Sequence, residues 1–198
     1  MTAASQANEI DVASHGRACR GEHYSGDLAF IREQDPDTFL AVVDAAGHGR
    51  SAYMVVLEVE NILRAADVRD LMTLVPRLHD QLKGGPGAVV IAGYLNRESL
   101  EFTYVRIGDS HGRIFGPRGR SLQGQAGMLG NVIPTPEIYR DTLGSGDILV
   151  LCTDGISERF DLAKIPGSQR ISADVLAHRI VEQFGKDHDD ATCLVVSC

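Results

Sequence analysis

The chain has 198 residues, 43% of them apolar, and a formal net charge of -8. That is enough for one globular domain with a sizeable core, and the acidity argues against binding a phosphate backbone or an anionic membrane surface. Apolar runs such as Ala88–Ala92 and Ile148–Cys152 fall far short of the ~18 residues of a membrane span, and Met1–Asn8 lacks the basic start and apolar stretch of a signal peptide.

In chain order, residues 1–8 are expected to be a flexible tail and residues 9–198 a single domain. Glu9–Cys19 contains a weakly patterned first strand. Gly26-Asp27 opens a second at Leu28–Arg32, which the turn Gln34-Asp35-Pro36-Asp37 returns as Phe39–Val43. This hairpin sets Asp27 at the start of one strand beside Asp44 at the end of its antiparallel partner. Gly47-His48-Gly49 then leads into a helix over about Ser51–Ala65, with Ala52, Val55, Val56, Val59, Ile62, Leu63 and Ala66 on one face. A second helix carries Leu71, Leu74, Val75, Leu78 and Leu82. It is expected to start near Leu71–Thr73, which leaves Pro76 near its first turn. Two successive helices between strands predict a helical pair lying on a sheet.

Closely spaced strands follow at Ala88–Leu95, Leu100–Ile107, Arg113–Phe115, Ser121–Leu122 and Glu137–Leu143, with Gln123–Pro136 as a long glycine-containing loop. Ile148–Cys152 is a strongly apolar strand ending in Thr153-Asp154-Gly155. Ala173–Phe184 has helical spacing, Ser172 as its N-cap and Gly185 as its stop. Ala191–Ser197 is the last strand and starts directly after Asp189-Asp190. The pattern predicts an α+β fold of two packed, mostly antiparallel β-sheets flanked by helices, an α-β-β-α sandwich. Cys19, Cys152, Cys193 and Cys198 form no C-x-x-C pair and read as reduced, buried cysteines of a cytosolic protein.

Four acidic positions share one grammar. Asp44 and Asp154 each end an apolar strand before a glycine turn; Asp27 and Asp189-Asp190 each precede a strand. Singly, each also reads as an ordinary turn or cap. Together they can converge on one rim, where each pair of carboxylates ~5 Å apart repels by about 3 kcal/mol at an effective dielectric of ~20. Such a cluster calls for hard divalent cations, and oxygen-only ligands suit Mg²⁺ or Mn²⁺. Ala45-Ala46-Gly47-His48-Gly49-Arg50-Ser51 lacks the lysine of a nucleotide-binding P-loop.

Gly26-Asp27, Asp44-Ala45-Ala46-Gly47-His48-Gly49, Phe102–Gly108, Gly146-Asp147 running to Thr153-Asp154-Gly155, and Asp189-Asp190-Ala191-Thr192 come in an order that resembles the metal-dependent protein phosphatase superfamily of the protein phosphatase 2C type. More narrowly, they resemble its bacterial sporulation stage II protein E branch. The length, without a sensor domain, resembles the small phosphatases that act on the stressosome. The resemblance implies two Mn²⁺ or Mg²⁺ ions, with Asp44 bridging both, the Ala45 carbonyl reaching one, Asp154 and Asp189 on the other, and Asp27 on a bound water or a further ion. Asp44 and Asp154 are then the catalytic pair, Asp190 is a supporting neighbour, and metal-activated water attacks phosphoserine or phosphothreonine in line. The implied substrate is a small phosphorylated STAS-domain regulatory protein, met by a cytoplasmic monomer with no nucleic-acid or membrane partner.

The chain also departs from the family pattern. Ala46 stands where eukaryotic members carry histidine, and His48 is shifted along the turn. Asp109 stands where bacterial relatives often carry asparagine. Neither Arg17 nor Arg20 fits the arginine that grips phosphate, and His111 and His188 read as solvated. The rival readings are a non-catalytic module that binds a phosphoprotein and a phosphatase for small phosphate esters. Retention of all four aspartates speaks against the first, and the lack of a basic pocket against the second.

Overall fold

The structure is a computed structural model that describes residues 10–67 and 69–198, so the expected tail over residues 1–8 lies outside the described residues. Among the described residues, ten strands and three α-helices follow one another: β1 (Asp11–Arg17), β2 (Asp27–Gln34), β3 (Asp37–Ala45), α1 (Gly49–Ala65), α2 (Leu71–Gln81), β4 (Ala88–Asn96), β5 (Glu101–Ile107), β6 (His111–Phe115), β7 (Arg120–Ser121), β8 (Tyr139–Thr142), β9 (Ile148–Cys152), α3 (Ala173–Phe184) and β10 (Ala191–Ser197). The strands form two five-stranded sheets, in the orders β1-β10-β9-β6-β7 and β2-β3-β4-β5-β8. All pairings between these strands are antiparallel.

Alternation along the strands decides which layer each side chain enters. In β3, Leu40 and Val42 point between the sheets, where they meet Phe102, Tyr104, Leu149, Leu151 and Leu194. Their neighbours Phe39, Ala41 and Val43 point outward, under Val55, Val59, Leu63, Leu74 and Leu78 of α1 and α2. The other sheet repeats the arrangement, with Val150, Cys152, Cys193 and Val195 beneath Leu176, Ala177, Ile180 and Val181 of α3. The result is the four-layered α-β-β-α sandwich that the strand and helix pattern predicts. No helix among the described residues is long and apolar enough to cross a membrane.

The helix ends show how the layers are joined. Three carbonyls at the C-terminus of α1, from Leu63, Arg64 and Ala66, accept from the guanidinium of Arg32 on β2 at 3.0, 3.2 and 3.0 Å. This satisfies orphan acceptors and sets positive charge at the negative end of the helix. Asp70 caps α2 by accepting from the Thr73 amide at 3.1 Å. α2 begins at Leu71, within the expected start, and Pro76 lies inside the helix just past its first turn. Its missing N–H frees the Met72 carbonyl, and Met72 is 42% exposed, so water can satisfy that acceptor. Ser172 caps α3 as expected, accepting from the Val175 amide at 3.4 Å, while Asp11 of β1 accepts from the Ala173 amide at 2.7 Å.

The loop over residues 123–136 is irregular, as expected, yet it is pinned to the sheet edge. Ala88 bridges Leu129, Ile107 bridges Gln125, and Met128 bridges Val132. A short 3-10 helix at Leu162–Lys164, capped by Asp161, has no signal in the apolar pattern. Cys152 and Cys193 are buried opposite one another on β9 and β10. Cys19 and Cys198 are only partly buried, and all four thiols are free.

Candidate metal centre

The hairpin β2–β3 sets the first half of the site. Asp27 and Asp44 are direct partners in the register. The chain leaves β3 under two clamps, the Ala45 amide donating to the Gly26 carbonyl at 2.9 Å and the Ala46 amide to the Gly87 carbonyl at 3.0 Å. Gly47 at φ 91° and Gly49 at φ 71° then turn it into α1, a backbone conformation that side chains with Cβ disfavour.

The second half comes from β9 and β10. Asp154 follows β9 in a turn whose Gly155 lies against the Asp190 carbonyl, so that a Cβ there would stand 1.7 Å from that oxygen. Only glycine fits. Arg17 of β1 holds the approach to β10 by donating to the carbonyls of Lys186 at 2.9 Å and Asp189 at 3.4 Å. Lys186 in turn donates its Nζ to the Asp154 carbonyl at 2.6 Å. Asp190 ties two loops together, since its Oδ1 accepts from the Cys19 amide and its Oδ2 from the Gly26 amide, both at 2.7 Å.

These turns bring Asp44, Asp154 and Asp189 to one cavity of about 220 Å³, together with Asp109, Ala46, Gly47, His48, Val89 and Met128. Asp27 does not line it. Its Oδ2 accepts from the Thr153 hydroxyl at 2.7 Å, and it opens into a neighbouring cavity of about 290 Å³ beside Arg17, His23 and Thr192. Ala45 is fully buried beneath the turn and does not line the first cavity either.

The charges show what the arrangement lacks. Burial raises the Asp44 carboxyl to about 8, helped by the neighbouring charges of Asp27, Asp154, Asp189 and Asp109. Burial also raises Asp27 to about 7, against the Thr153 hydrogen bond, with Asp190 adding to the rise. Asp154 is raised by burial and by Asp189, with Lys186 acting the other way. Partly buried carboxylates in mutual contact with few donors are held protonated unless a cation compensates them. The donors facing the Asp44 cavity are chiefly carboxylate oxygens, the set that hard divalent ions take.

Two members of the site lie outside the functional set expected from sequence. Asp109 follows the end of β5 by two residues, and the strand-end grammar that marks Asp44 and Asp154 would have found it. Lys186 has no sequence signal, because its reach to Asp154 depends on how the 185–189 turn packs. His48 is exposed at the mouth of the cavity and lies 3.2 Å from Glu22 through Nδ1. The solvated reading of His111 is corrected. It starts β6 at 9% exposure, neither ring nitrogen has a hydrogen-bond partner among the described residues, and burial lowers it to about 4. His188 is exposed, as expected.

Comparison with known proteins agrees with this architecture. Phosphoserine phosphatase RsbX of Bacillus subtilis (strain 168) is 24% identical over 140 residues, covering 69% of this chain and 70% of its own length. A solved structure from work on the bacterial stressosome as a modular system adapted to control secondary messenger signaling is 26% identical, covers 96% of this chain and 100% of its own, and has a TM-score of 0.87. The crystal structure of RsbX in complex with magnesium superposes with a TM-score of 0.80 at 19% identity, over 96% of this chain and 95% of its own. The profile of the Stage II sporulation protein E (SpoIIE) family matches residues 34–198. Since that match runs from the β2–β3 hairpin to the C-terminus, the chain belongs to the Stage II sporulation protein E (SpoIIE) family.

Proposed function

We propose that this phosphatase depends on Mn²⁺ or Mg²⁺ and removes phosphate from phosphoserine or phosphothreonine of a small STAS-domain protein in a stressosome-type scaffold. The observation that carries the reading is the cavity shared by Asp44, Asp154 and Asp189, with Asp44 raised to about 8 by burial and by its carboxylate neighbours. On this reading Asp44, Asp154 and Asp189 would hold the ions, with the Ala45 carbonyl and Asp27 in the supporting roles that the family pattern implies. Bound ions would polarise the phosphoryl group and an attacking water and would neutralise the charge that develops in transfer.

The remaining groups position and admit. Lys186 fixes the Asp154 backbone, while Arg17 and Asp190 fix the turns that carry Asp189 and Asp27. The N-terminus of α1 has no side-chain cap, and Gly47 and His48 before it line the cavity, an end that favours a bound anion. Beside the cavity, and sharing Val89, Asp109 and Met128 with it, runs a second hollow of about 470 Å³ that also includes Arg106, Gln125 and Gly127. It offers room for the chain segment that carries the phosphate. The stressosome-related structure and RsbX favour a stressosome-type substrate. A cytoplasmic monomer with residues 9–198 as one domain completes the reading.

The test is phosphate release from a phosphorylated STAS-domain protein and from p-nitrophenyl phosphate, with Mn²⁺, Mg²⁺ or EDTA. Turnover that needs the metal and stops in EDTA is expected. Absence of turnover at every metal concentration, with the phosphoprotein still bound, would favour the non-catalytic binding module.

A further inference from the structure

On the opposite face of the sheet from the sandwich interior, α3 lies over β1 and β10, and a group outside the carboxylate centre gathers there. His178 and Glu182 are four residues apart on α3 and share one helix face. His15, on the edge strand β1, rises to meet them. One ligand atom from each of the three lies within 4.8 Å of the other two, the only such trio of His, Cys, Asp or Glu among the described residues. None of the three lines the Asp44 cavity.

We propose that His15, His178 and Glu182 form a second metal site, selective for a zinc-like divalent transition ion. His178 Nδ1 stands 3.2 Å from His15 Nε2, and the rings meet edge to face at 77° with centroids 4.6 Å apart. Two imidazole nitrogens bound at 2.0–2.1 Å to one tetrahedral ion are separated by about 3.3 Å, so these rings already stand at ligand spacing. One shared proton suffices to hold them there, and an ion takes its place without moving either ring far. Glu182 is exposed and has no hydrogen-bond or ion-pair partner among the described residues, so its carboxylate can turn inward as the third ligand, with water as the fourth.

The donor set differs from that of the carboxylate centre. Two imidazoles and one carboxylate suit zinc, cobalt or nickel, whereas oxygen-only ligands suit magnesium or manganese. A bound ion joins the edge strand β1 to the helix that covers it. Its consequence is therefore stability, and the inference is independent of the phosphatase reaction.

The experiment is titration of the full chain with Zn²⁺ in excess Mg²⁺, which competes for oxygen-only sites. One Zn²⁺ equivalent is expected, with affinity falling about 100-fold or more in His15→Ala and in His178→Ala and less in Glu182→Gln. The melting temperature should rise by about 5–10 °C at Zn²⁺ 100-fold above its dissociation constant, in the parent and not in the histidine variants. Co²⁺ in place of Zn²⁺ should give the intense visible bands of a tetrahedral, histidine-ligated ion, lost in His15→Ala. Circular dichroism of the variants establishes that they fold. Zinc binding of equal stoichiometry and affinity in the folded histidine variants, or no equivalent in the parent under excess Mg²⁺, overturns the proposal.

Discussion

Asp189 and Asp190 are adjacent in the chain, yet they belong to two regions with opposite electrostatic solutions. Asp190 is 3% exposed and both its oxygens accept short bonds from backbone amides, Cys19 on one side and Gly26 on the other. Its charge is answered by the protein itself, and it fixes the loop before β2. In the cavity that Asp189 shares with Asp44, no backbone amide among the described residues donates to the Asp44 carboxyl, and its charged neighbours include Asp27, Asp154, Asp189 and Asp109. Burial alone therefore does not mark a functional carboxylate. What separates Asp190 from Asp44 is whether the chain supplies the donors.

The largest effect that sharpens this contrast is on catalysis. Asp44→Asn should lower phosphatase kcat by about 10³-fold, since several kcal/mol of charge stabilisation depends on that carboxylate. Steady-state rates in saturating Mn²⁺ measure it, and retention of more than a tenth of the activity would break the contrast.

Next comes pH. Asp27 and Asp44 have folded-state values near 7 and 8, above the ordinary 3.8. The metal-free fold thus binds protons more tightly than the unfolded chain, and stability is fully present below about pH 4 and lost as pH rises through about 7 to 8. Asp27 alone contributes on the order of 4 kcal/mol to that fall, and coupling to Asp44 makes the sum less than double. Urea unfolding in EDTA across this range measures it. Mn²⁺ should restore stability at high pH in the parent and much less in Asp44→Asn, and a flat profile in EDTA would mean the carboxylates are compensated within the protein.

A smaller loss is expected on the other side of the comparison. Asp190→Ala strips the acceptor from the Gly26 and Cys19 amides and should cost about 2–4 kcal/mol in unfolding experiments. Added Mn²⁺ should not remove that deficit. If it did, Asp190 would belong with the ion-seeking carboxylates.

Much of the frame is legible where the local signals agree with one another. Ile148–Cys152, Ala173–Phe184 and Ala191–Ser197 have the bounds expected, since Thr153-Asp154-Gly155, Ser172 with Gly185, and Asp189-Asp190 punctuate them. The pairing of Asp27 with Asp44 follows from one turn and two strands. Pro76 is tolerated within α2 because packing of Leu74, Val75 and Leu78 against the sheet outweighs one lost helical bond. The cavity is less legible: which carboxylates line it, and whether Lys186 reaches Asp154, depend on where turns from distant strands come to rest. Strand punctuation reveals which residues stand at strand ends but not which way they face, and Asp27 turns to Thr153 for that reason.

The antiparallel register of β2 and β3 has a consequence at long range. Asp27 and Asp44 are matched by a turn eight residues away, about 25 Å along the strands. That turn acts as a caliper. Deleting one residue at its tip would slide the two arms past each other and rotate one acid toward the wrong layer, so a lesion at the far end of the molecule would disarm the rim without touching it.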